Sequence, residues 1–470
     1  MITFILNDKE VTTSHKSGLT LLDFIRYEKD LVGTKIGCRE GDCGACTVLE
    51  GRLEEDKLVY RSIVSCLTPL GNAHGKHIVT VEGLNMDKLS PVQSAMVEHN
   101  ASQCGFCTPG FIVSLTGHTL EYLPSDEQSA IDSVNGNICR CTGYKSIERA
   151  AISISRMLSE KNPEQPLGWL TENGFLPAYF LSISERLKSM QLNLNKDPDF
   201  SSGGQIIGGG TDLMVQKPDD IAEASLNLFF DKKQMQGIRR KNGYMIIGAS
   251  ATANDIMHSS LMGEYIPEIK KHFRLVSSDP IRNMGTVGGN IVNASPIADL
   301  VIFFLALGTS LKLVKGRQTR NLPLEAFFLD YKKLDLQAGE YIEQLYIPLA
   351  KDRFGFNFEK VSKRTHLDIA SVNSAIFVRT QEDLLVECRL SIGGVSPVPL
   401  FLKDTSSFLS GSRLSEATLR EAMKIIEGEI APISDVRGSK EYKRLLARQL
   451  FIAHFLKLFP ERFVIEELIR

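Results

Sequence analysis

Eight of the nine cysteines in this chain lie within its first 141 residues, and the rest of the chain holds only Cys388. Such clustering indicates either a disulfide framework or metal centres with thiolate ligands. The N-terminus, MITFILNDKE, has no basic segment followed by a long apolar one. We therefore expect no signal peptide and a cytoplasmic location, where thiols stay reduced. The pattern predicts two centres with four thiolates each, from Cys38, Cys43, Cys46, Cys66, Cys104, Cys107, Cys139 and Cys141.

The first four of these cysteines have the spacing C-x4-C-x2-C-x19-C, from Cys38 to Cys66. This is the spacing of plant-type [2Fe–2S] proteins, in which three ligands come from one tight loop. Gly37, Gly41 and Gly44 are expected to let that loop adopt positive φ and bring backbone N–H groups close to the sulfurs. A zinc ribbon is the alternative, but it usually has two C-x2-C pairs, so the spacing favours an iron–sulfur cluster.

The second four have the spacing C-x2-C-x31-C-x-C, from Cys104 to Cys141, among segments with helical patterns. One helix is predicted to begin at Pro91 with Ser90 as its N-cap, and another to cover 147–158. Cysteines at helix ends can hold a metal between helices. On spacing alone, a zinc site stays open here.

Length, charge and hydropathy narrow the class of protein. A chain of 470 residues suggests about three domains. The net charge of −2 argues against a nucleic-acid partner, which usually requires a basic excess. The longest strongly apolar stretch, 300–307, is too short to span a bilayer and predicts a buried helix. No membrane partner is expected.

Two glycine-rich segments follow an irregular stretch, 161–166, which together with the lone Trp169 predicts a packed linker. The first reads IIGGGTDL at 206–213, and the second reads NMGTVGGN at 283–290. Glycines let backbone N–H groups approach a pyrophosphate. Neither segment has the G-x-G-x-x-G pattern of a Rossmann site, and a structural turn stays open for each.

Beyond residue 352 the patterns predict strands at 371–378 and 387–393 and helices at 416–427 and 440–458. Cys388 lies in the second of these strands. We expect it to be a structural thiol rather than a ligand.

Three segments together resemble the two [2Fe–2S] domains of the molybdenum hydroxylases, the xanthine dehydrogenase/aldehyde oxidase family: GCREGDCGACTV, QCGFCTPG and NICRCTGY. The two glycine segments, in this order, resemble the flavin domain of the same family. The resemblance implies that both cysteine sets hold [2Fe–2S] clusters. It also implies an α+β multidomain fold: a β-grasp ferredoxin domain at 1–83, a four-helix [2Fe–2S] domain at 84–160, a linker at 161–194, a PCMH-type (vanillyl-alcohol oxidase-like) FAD domain at 195–350, and an α+β C-terminal flavoprotein domain at 351–470.

FAD contacts are implied by the same resemblance. The two glycine segments would wrap the pyrophosphate, and Asp299 would contact the cofactor. Val276 would lie near the isoalloxazine, where the family more often has an aromatic residue. No catalytic side chain is implied, because redox cofactors carry the chemistry. The expected cofactor-binding residues are Ile206, Ile207, Gly208, Gly209, Gly210, Thr211, Asp212, Leu213, Val276, Thr286, Val287, Gly288, Gly289, Asn290, Asp299, Ile342 and Lys360.

The resemblance further implies a partner. Longer relatives carry a molybdopterin domain, which is expected here on a separate large subunit, in an (αβ)2 assembly. Gln103 matches a position beside the pterin. Electrons would pass singly through the Cys104 set and then the Cys38 set to FAD, which reduces NAD⁺.

Fusion of both cluster domains to a flavin half favours the purine-oxidising branch of the family, which converts hypoxanthine and xanthine to urate. One alternative is the same subunit serving a partner that oxidises an aldehyde or a nitrogen heterocycle. A non-enzymatic metal-binding electron carrier with structural zinc is the other.

The segment KRTHLDIA at 363–370 resembles a loop beside the flavin and the nicotinamide site, and it carries charges of both signs. The eight clustered cysteines are expected to be ligands, and Cys388 is alone. No thiol pair is then left for a disulfide-driven switch to an oxidase, and NAD⁺ is expected as the acceptor in preference to O₂.

Overall fold

A computed structural model of the chain describes residues 1–193, 204–364 and 367–469. The chain divides by spatial proximity into two units. Unit 1 comprises 1–230 with 278–285, and unit 2 comprises 231–277 with 286–470. The mixture of helices and sheets in both units confirms the predicted α+β class.

Unit 1 begins with a five-stranded sheet in the order β2-β1-β5-β3-β4. The first two strands form an antiparallel hairpin, and β1 runs parallel to β5, so the sheet is mixed, as expected of a β-grasp domain. Both faces of the sheet are buried: successive residues Phe4 and Ile5 point to opposite faces, are both fully buried, and belong to two different apolar cores. The strands are β1 (Ile2–Leu6), β2 (Lys9–Thr13), β3 (Thr47–Glu54), β4 (Lys57–Val64) and β5 (His77–Val79).

A short helix follows β2. Thr20 is its N-cap and accepts a hydrogen bond from the Asp23 N–H at 3.0 Å. The helix α1 (Leu21–Asp23) continues as a π-helical turn over Phe24–Glu28.

Four helices then form the second part of unit 1, as expected for the second cysteine set. Ser90 and Gln93 make a reciprocal capping box at the first of them, with Pro91 in the first turn. The helices are α2 (Pro91–Glu98), α3 (Thr108–Thr119), α4 (Glu127–Asp132) and α5 (Lys145–Met157).

The segment predicted as an irregular linker is instead largely helical in its described part, up to residue 193. It contains α6 (Pro166–Glu172), a 3-10 turn (Ala178–Ser182) and α7 (Ile183–Asn193). Trp169 is half-buried, with its ring centroid 5.6 Å from that of Phe175. Frequent Pro, Gly and Asn residues divide the helices, which obscures their period in the sequence. Their apolar residues join the core of the preceding helices: Leu170, Phe175, Leu176, Phe180, Ile183, Leu187 and Met190.

Unit 1 is completed by a two-stranded parallel sheet and short helices next to the first glycine segment. These are β6 (Gln205–Ile207), α8 (Leu213–Gln216), α9 (Pro218–Glu223) and β7 (Leu226–Leu228). The strand β6 ends at the glycine segment, as a strand-to-turn pattern predicts.

Unit 2 contains a five-stranded antiparallel sheet in the order β11-β10-β14-β9-β8, with a small hairpin beside it in sequence. Its strands are β8 (Ile238–Lys241), β9 (Tyr244–Gly248), β10 (Ser310–Lys315), β11 (Gln318–Pro323) and β14 (Tyr341–Pro348). The hairpin is β12 (Phe328–Asp330) with β13 (Lys333–Leu334).

A second antiparallel sheet in unit 2 has the order β15-β16-β17-β18 and confirms the strands predicted near 371–378 and 387–393. Cys388 is buried in it, as expected of a structural thiol, and burial raises the pKa of its sulfhydryl. The strands are β15 (Gly355–Val361), β16 (Val372–Gln381), β17 (Leu384–Gly393) and β18 (Leu400–Phe401).

The remaining helices belong to unit 2, except α13, which belongs to unit 1. The predicted buried helix near 300–307 and the two predicted C-terminal helices are all present. In the described ranges, no helix combines the length and the apolar composition that a membrane span requires. These helices are α10 (Ala253–Met257), α11 (Ser260–Tyr265), α12 (Ile269–Phe273), α13 (Asp279–Met284), α14 (Val287–Val292), α15 (Asp299–Ala306), α16 (Lys403–Leu409), α17 (Glu416–Glu429), α18 (Lys440–Leu458) and α19 (Ile465–Ile469).

Candidate redox centres

The loop before β3 points backbone N–H groups at the first cysteine sulfurs. The Sγ of Cys38 accepts hydrogen bonds from the N–H groups of Glu40 and Asp42, each at 3.3 Å. The N–H of Cys38 donates to the Sγ of Cys43 at 3.4 Å. Such bonds stabilise thiolates and help to set the potential of a bound cluster. This arrangement is the one expected from the loop's glycines.

The glycines of this loop serve two different purposes. Gly41 and Gly44 have φ of +74° and +66°, as predicted. The φ of Gly37 lies outside the left-handed region. Glycine is required there for a steric reason, because a Cβ would lie 2.5 Å from the Sγ of Cys43. Its role is therefore close approach to sulfur rather than backbone freedom.

The thiols associate in pairs. In the first set the Cys43 thiol donates to Cys38, which lowers the pKa of Cys38 to about 5, and the Cys66 thiol lowers that of Cys46 in the same way. In the second set Cys104 contacts Cys141 and Cys107 contacts Cys139.

The number and chemistry of the cysteines suit iron–sulfur clusters. A [2Fe–2S] cluster takes four thiolates, two on each of its two irons. Backbone N–H groups already donate to the sulfurs of Cys38 and Cys43, as they do to the sulfurs around such clusters. The residues present therefore fit two [2Fe–2S] clusters, which would be held by Cys38, Cys43, Cys46 and Cys66, and by Cys104, Cys107, Cys139 and Cys141.

Both cysteine sets open onto one cavity of about 220 Å³. Six of the eight thiols line it: Cys38, Cys43, Cys104, Cys107, Cys139 and Cys141. The second set is the more exposed, since Cys104 and Cys141 are on the surface while Cys46 and Cys66 of the first are buried. The rim of the cavity is partly apolar and exposed, with Gln103, Phe106 and Ile138 on it.

Backbone and side-chain hydrogen bonds join the two cysteine loops directly. The N–H of Ile138 donates to the carbonyl of Cys43 at 2.9 Å, and the Nδ2 of Asn137 donates to the carbonyl of Gly44 at 3.1 Å. The hydroxyl of Ser114 donates to the Oδ1 of Asn137 at 2.8 Å. The sequence analysis did not identify Asn137, because its partners are distant in sequence.

The first glycine segment, in unit 1, offers a run of backbone donors. Among the described residues, none accepts a hydrogen bond from the backbone N–H groups of Gly208, Gly209, Gly210 or Thr211. Consecutive free N–H groups in a turn form an anion-binding concavity, which fits the pyrophosphate of FAD.

The glycines of this segment are nevertheless required by the protein itself. A Cβ at Gly209 would lie 1.8 Å from the carbonyl oxygen of Met284 in α13, and one at Gly210 would lie 2.3 Å from that of Leu67. Gly210 also has φ of +88°. Close backbone packing, and not only approach by a phosphate, therefore explains these residues.

In the second glycine segment, the residues expected to wrap the pyrophosphate are 286–290, in unit 2, and several of their backbone N–H groups are not available for it. The N–H groups of Val287 and Gly288 donate to Ala251 and Ala249, at 2.9 and 2.8 Å, and that of Gly289 donates to the hydroxyl of Thr286. These donors are therefore already occupied. The group that suits a cofactor is the buried Oδ1 of Asn290, which has no partner among the described residues. A contribution from 286–290 would come from side chains.

The other residues expected to contact FAD in unit 2 lie in and around a buried charged pair. The Nζ of Lys360 donates to Asp299 at 2.7 Å and to the carbonyl of Leu275 at 2.8 Å, next to the buried Val276. Ile342 is buried in β14, opposite Leu313 of β10. Within unit 2, the Asn290 oxygen and this charged pair are polar groups that fit FAD. When bound, FAD converts one-electron arrivals into two-electron delivery.

The charged loop at 363–370 is described except for Thr365 and His366, which lie outside the described residues. Its flanks are fixed locally: Asp368 accepts from the N–H of Arg364 at 2.9 Å, and Lys363 donates to the carbonyl of Val436 at 3.1 Å.

Four family models match the chain in order. The fold and the two cysteine sets are those expected of an iron–sulfur flavoprotein, and the matches agree with this class. They are described as 2Fe-2S iron-sulfur cluster binding domain (4–71), [2Fe-2S] binding domain (80–152), FAD binding domain in molybdopterin dehydrogenase (185–350) and CO dehydrogenase flavoprotein C-terminal domain (358–458). Together the four matches support a chain of molybdenum hydroxylase type that carries two [2Fe–2S] domains and an FAD domain.

Individual relatives are distant. The chain is 28% identical to the xanthine dehydrogenase of Emericella nidulans, over 96% of this chain and 38% of that protein. It is 26% identical to aldehyde oxidase 2 of Mus musculus, over 97% of this chain and 39% of that protein. The chain thus spans less than half the length of these relatives. A solved structure, reconstituted CO dehydrogenase from Oligotropha carboxidovorans, has a similar fold over 56% of this chain and 93% of its own, with a TM-score of 0.52 and 24% identity.

Proposed function

We propose that this chain is the electron-transfer subunit of a cytoplasmic xanthine dehydrogenase. It would receive electrons from a molybdopterin-binding large subunit that oxidises hypoxanthine and xanthine to urate, and deliver them through two [2Fe–2S] clusters and FAD to NAD⁺. The domain boundaries would lie near residues 84, 161, 195 and 351. The observation that supports the proposal most is the single cavity lined by six thiols of both cysteine sets, because electron transfer requires that two clusters lie close together.

The more exposed cysteine set is proposed to face the partner subunit. Cys104 and Cys141 are exposed, and Phe106 beside them is 48% exposed, with Ile138 and Tyr144 also on the surface. Exposed aromatic and aliphatic residues around a reactive centre are typical of an interaction surface. Gln103, on the same rim, would lie against the pterin. We also propose an (αβ)2 assembly, because the resemblance to the family implies one.

The proposed order of electron transfer follows from exposure. Electrons would enter at the Cys104 set, which is on the surface, and continue to the Cys38 set, in which Cys46 and Cys66 are buried. FAD would take them from there, held by the residues of 206–213, by Thr286 and Asn290, and by Asp299 and Lys360.

The test is expression of the chain with and without its partner. The isolated chain should bind about two [2Fe–2S] clusters, which is about four irons, and FAD, and should reduce an artificial dye with NADH. It should not oxidise xanthine. A co-purifying large subunit should restore this reaction, and xanthine should then bleach the flavin. Xanthine oxidation by the purified chain alone, or zinc in place of iron and sulfide, would contradict the proposal.

Oxidation of an aldehyde or a nitrogen heterocycle by the partner is the second candidate. The similarity to aldehyde oxidase 2, at 26% identity, is close to that with xanthine dehydrogenases and favours keeping it. The assembled complex should be assayed with xanthine, an aldehyde and an N-heterocycle. If only the aldehyde or only the N-heterocycle bleaches the flavin, that class of compound replaces xanthine as the proposed substrate.

The acceptor is tested on the same complex. We expect turnover with NAD⁺ to exceed turnover with O₂, under reducing and oxidising conditions alike, because the eight clustered cysteines are the proposed cluster ligands and Cys388 is buried away from them in unit 2. Equal or faster turnover with O₂ would contradict NAD⁺ as the acceptor.

A further inference from the structure

A third side chain, that of Asn373, contacts the charged pair Asp299–Lys360, and the proposed function gives it no role. Asn373, in β16, is fully buried, and its Nδ2 donates to the Oδ1 of Asp299 at 2.6 Å. Lys360 holds the other carboxylate oxygen, Oδ2, at 2.7 Å. Each oxygen of Asp299 therefore has its own donor, and the plane of the carboxylate is fixed from two sides.

The orientation of the Asn373 amide is determined by its partners. Its Nδ2 also donates to the carbonyl oxygen of Ile297 at 3.1 Å. A flipped amide would place its oxygen against two acceptors, so only the observed orientation is compatible with both. The Oδ1 is consequently left without a hydrogen-bond partner among the described residues. An unsatisfied buried oxygen costs free energy and calls for an explanation.

The neighbouring strand makes room for this amide. Asn373 pairs with Gly393 of β17, and a Cβ at Gly393 would lie 2.2 Å from the Oδ1 of Asn373. Any larger residue at this position would displace the amide from Asp299. Two residues on adjacent strands therefore act together to hold the carboxylate.

We propose that Asn373 is a positioning residue for the flavin, acting through Asp299 and Lys360. The inference rests on the proposed function, because it takes this pair to contact FAD. By holding the carboxylate plane, Asn373 fixes where the negative and positive charges of the pair stand relative to the cofactor. Fixed charges next to a flavin determine its potential as well as its affinity.

Asn373→Asp tests the proposal in the full chain loaded with FAD. The change keeps the shape of the side chain but replaces the donor with a second carboxylate against Asp299, and two adjacent carboxylates repel each other. We expect FAD affinity to fall about tenfold or more and the midpoint potential of the bound flavin to shift, with both iron–sulfur clusters retained. Gly393→Ala should produce the same two changes by pushing the amide away.

Asn357→Asp is the matched control. Asn357 is as buried as Asn373, lies on the adjacent strand β15, and bonds His454 and Glu359 rather than Asp299. The substitution introduces a carboxylate into the same sheet. It should therefore lower the free energy of unfolding while leaving the potential of the bound flavin as in the unmodified chain.

The outcomes separate the two proposals. If Asn373→Asp or Gly393→Ala folds and binds FAD with unchanged affinity and potential, the positioning role is wrong. An equal shift of potential in Asn357→Asp would also overturn it, since the effect would then be a general one of the sheet. If the unmodified chain binds no FAD, the proposed function itself fails.

Discussion

Ile138 donates its backbone N–H to the carbonyl oxygen of Cys43 at 2.9 Å, and this bond joins the two cysteine loops of unit 1. Each residue adjoins or is a proposed cluster ligand, so the bond keeps both sets of thiols at one cavity. Asn137, next to Ile138, adds a side-chain bond to the carbonyl of Gly44. The relative placement of the clusters therefore depends on a few hydrogen bonds that can be changed one at a time.

Asn137→Ala should weaken this junction. Asn137 is buried, and its loss would remove one donor from the Gly44 carbonyl, which keeps its bonds from Thr47, and would leave the buried Ser114 hydroxyl without its partner. We expect a loss of about 1–3 kcal/mol in the free energy of unfolding, measured by denaturant titration of the full chain. The control is Asn321→Ala, an exposed site in β11 that should change the free energy of unfolding by less than about 0.5 kcal/mol. Equal effects of the two substitutions would contradict the role of Asn137.

Cys43→Ser should remove one cluster and leave the other. Serine lacks the thiolate that iron requires, and Cys43 belongs to only one of the two sets. We expect iron to fall from about four to about two per chain, with one of two cluster signals lost in the electron paramagnetic resonance spectrum. Cys388→Ser is the control: this thiol is buried in the second sheet of unit 2, and its loss should leave iron at about four. Iron at about four in Cys43→Ser would show that the ligand assignment is incorrect.

Gly209→Ala should impair FAD binding without removing iron. The new methyl group would lie 1.8 Å from the carbonyl oxygen of Met284, so the glycine segment must shift and its free N–H groups move with it. We expect bound flavin, measured by absorbance after gel filtration, to be largely lost while both clusters remain. Gly168→Ala is the matched control, because no atom lies within 4 Å of a Cβ there, and it should retain full flavin. Normal flavin content in Gly209→Ala would refute the proposed role of the segment.

His454→Gln should reduce the sensitivity of the fold to acid. Burial lowers the pKa of His454 to about 3, and this ring bonds Asn357 and Ser374 in its neutral form. In the unfolded chain the pKa is about 6.5, so the unfolded state takes up a proton first as pH falls. The neutral ring therefore makes its full contribution to the free energy of unfolding above about pH 6.5. Below that pH, this contribution falls by about 1.4 kcal/mol per pH unit.

Removing this histidine should decrease the slope between about pH 6 and 4.5 by that amount, as measured by denaturant titration at each pH. His77, whose pKa burial also lowers to about 3, should still contribute its own slope. An unchanged slope in His454→Gln would mean that His454 is not neutral in the folded state.

The parts of this protein that were predicted from sequence are those whose signal is local. Cysteine spacing within one loop identified the first cluster, because three ligands must converge from a few consecutive residues. The N-cap at Ser90, the apolar run at 300–307 and the C-terminal helices were predicted for the same reason. The helices of 161–193 were not, since Pro, Gly and Asn residues lie between them and divide the segment into short pieces.

The sequence by itself determined which cysteines form the two sets, the order of the domain types and most of the helices and strands. Tertiary structure alone decided that both sets share one cavity, that Gly209 is required by Met284, and that Asn373 holds Asp299. Asn137 and Gly44 are 93 residues apart, and Asn373 and Asp299 are 74 apart. Spacing along a chain reports which residues a single loop can bring together, whereas contacts over such separations exist only once the elements between them have packed.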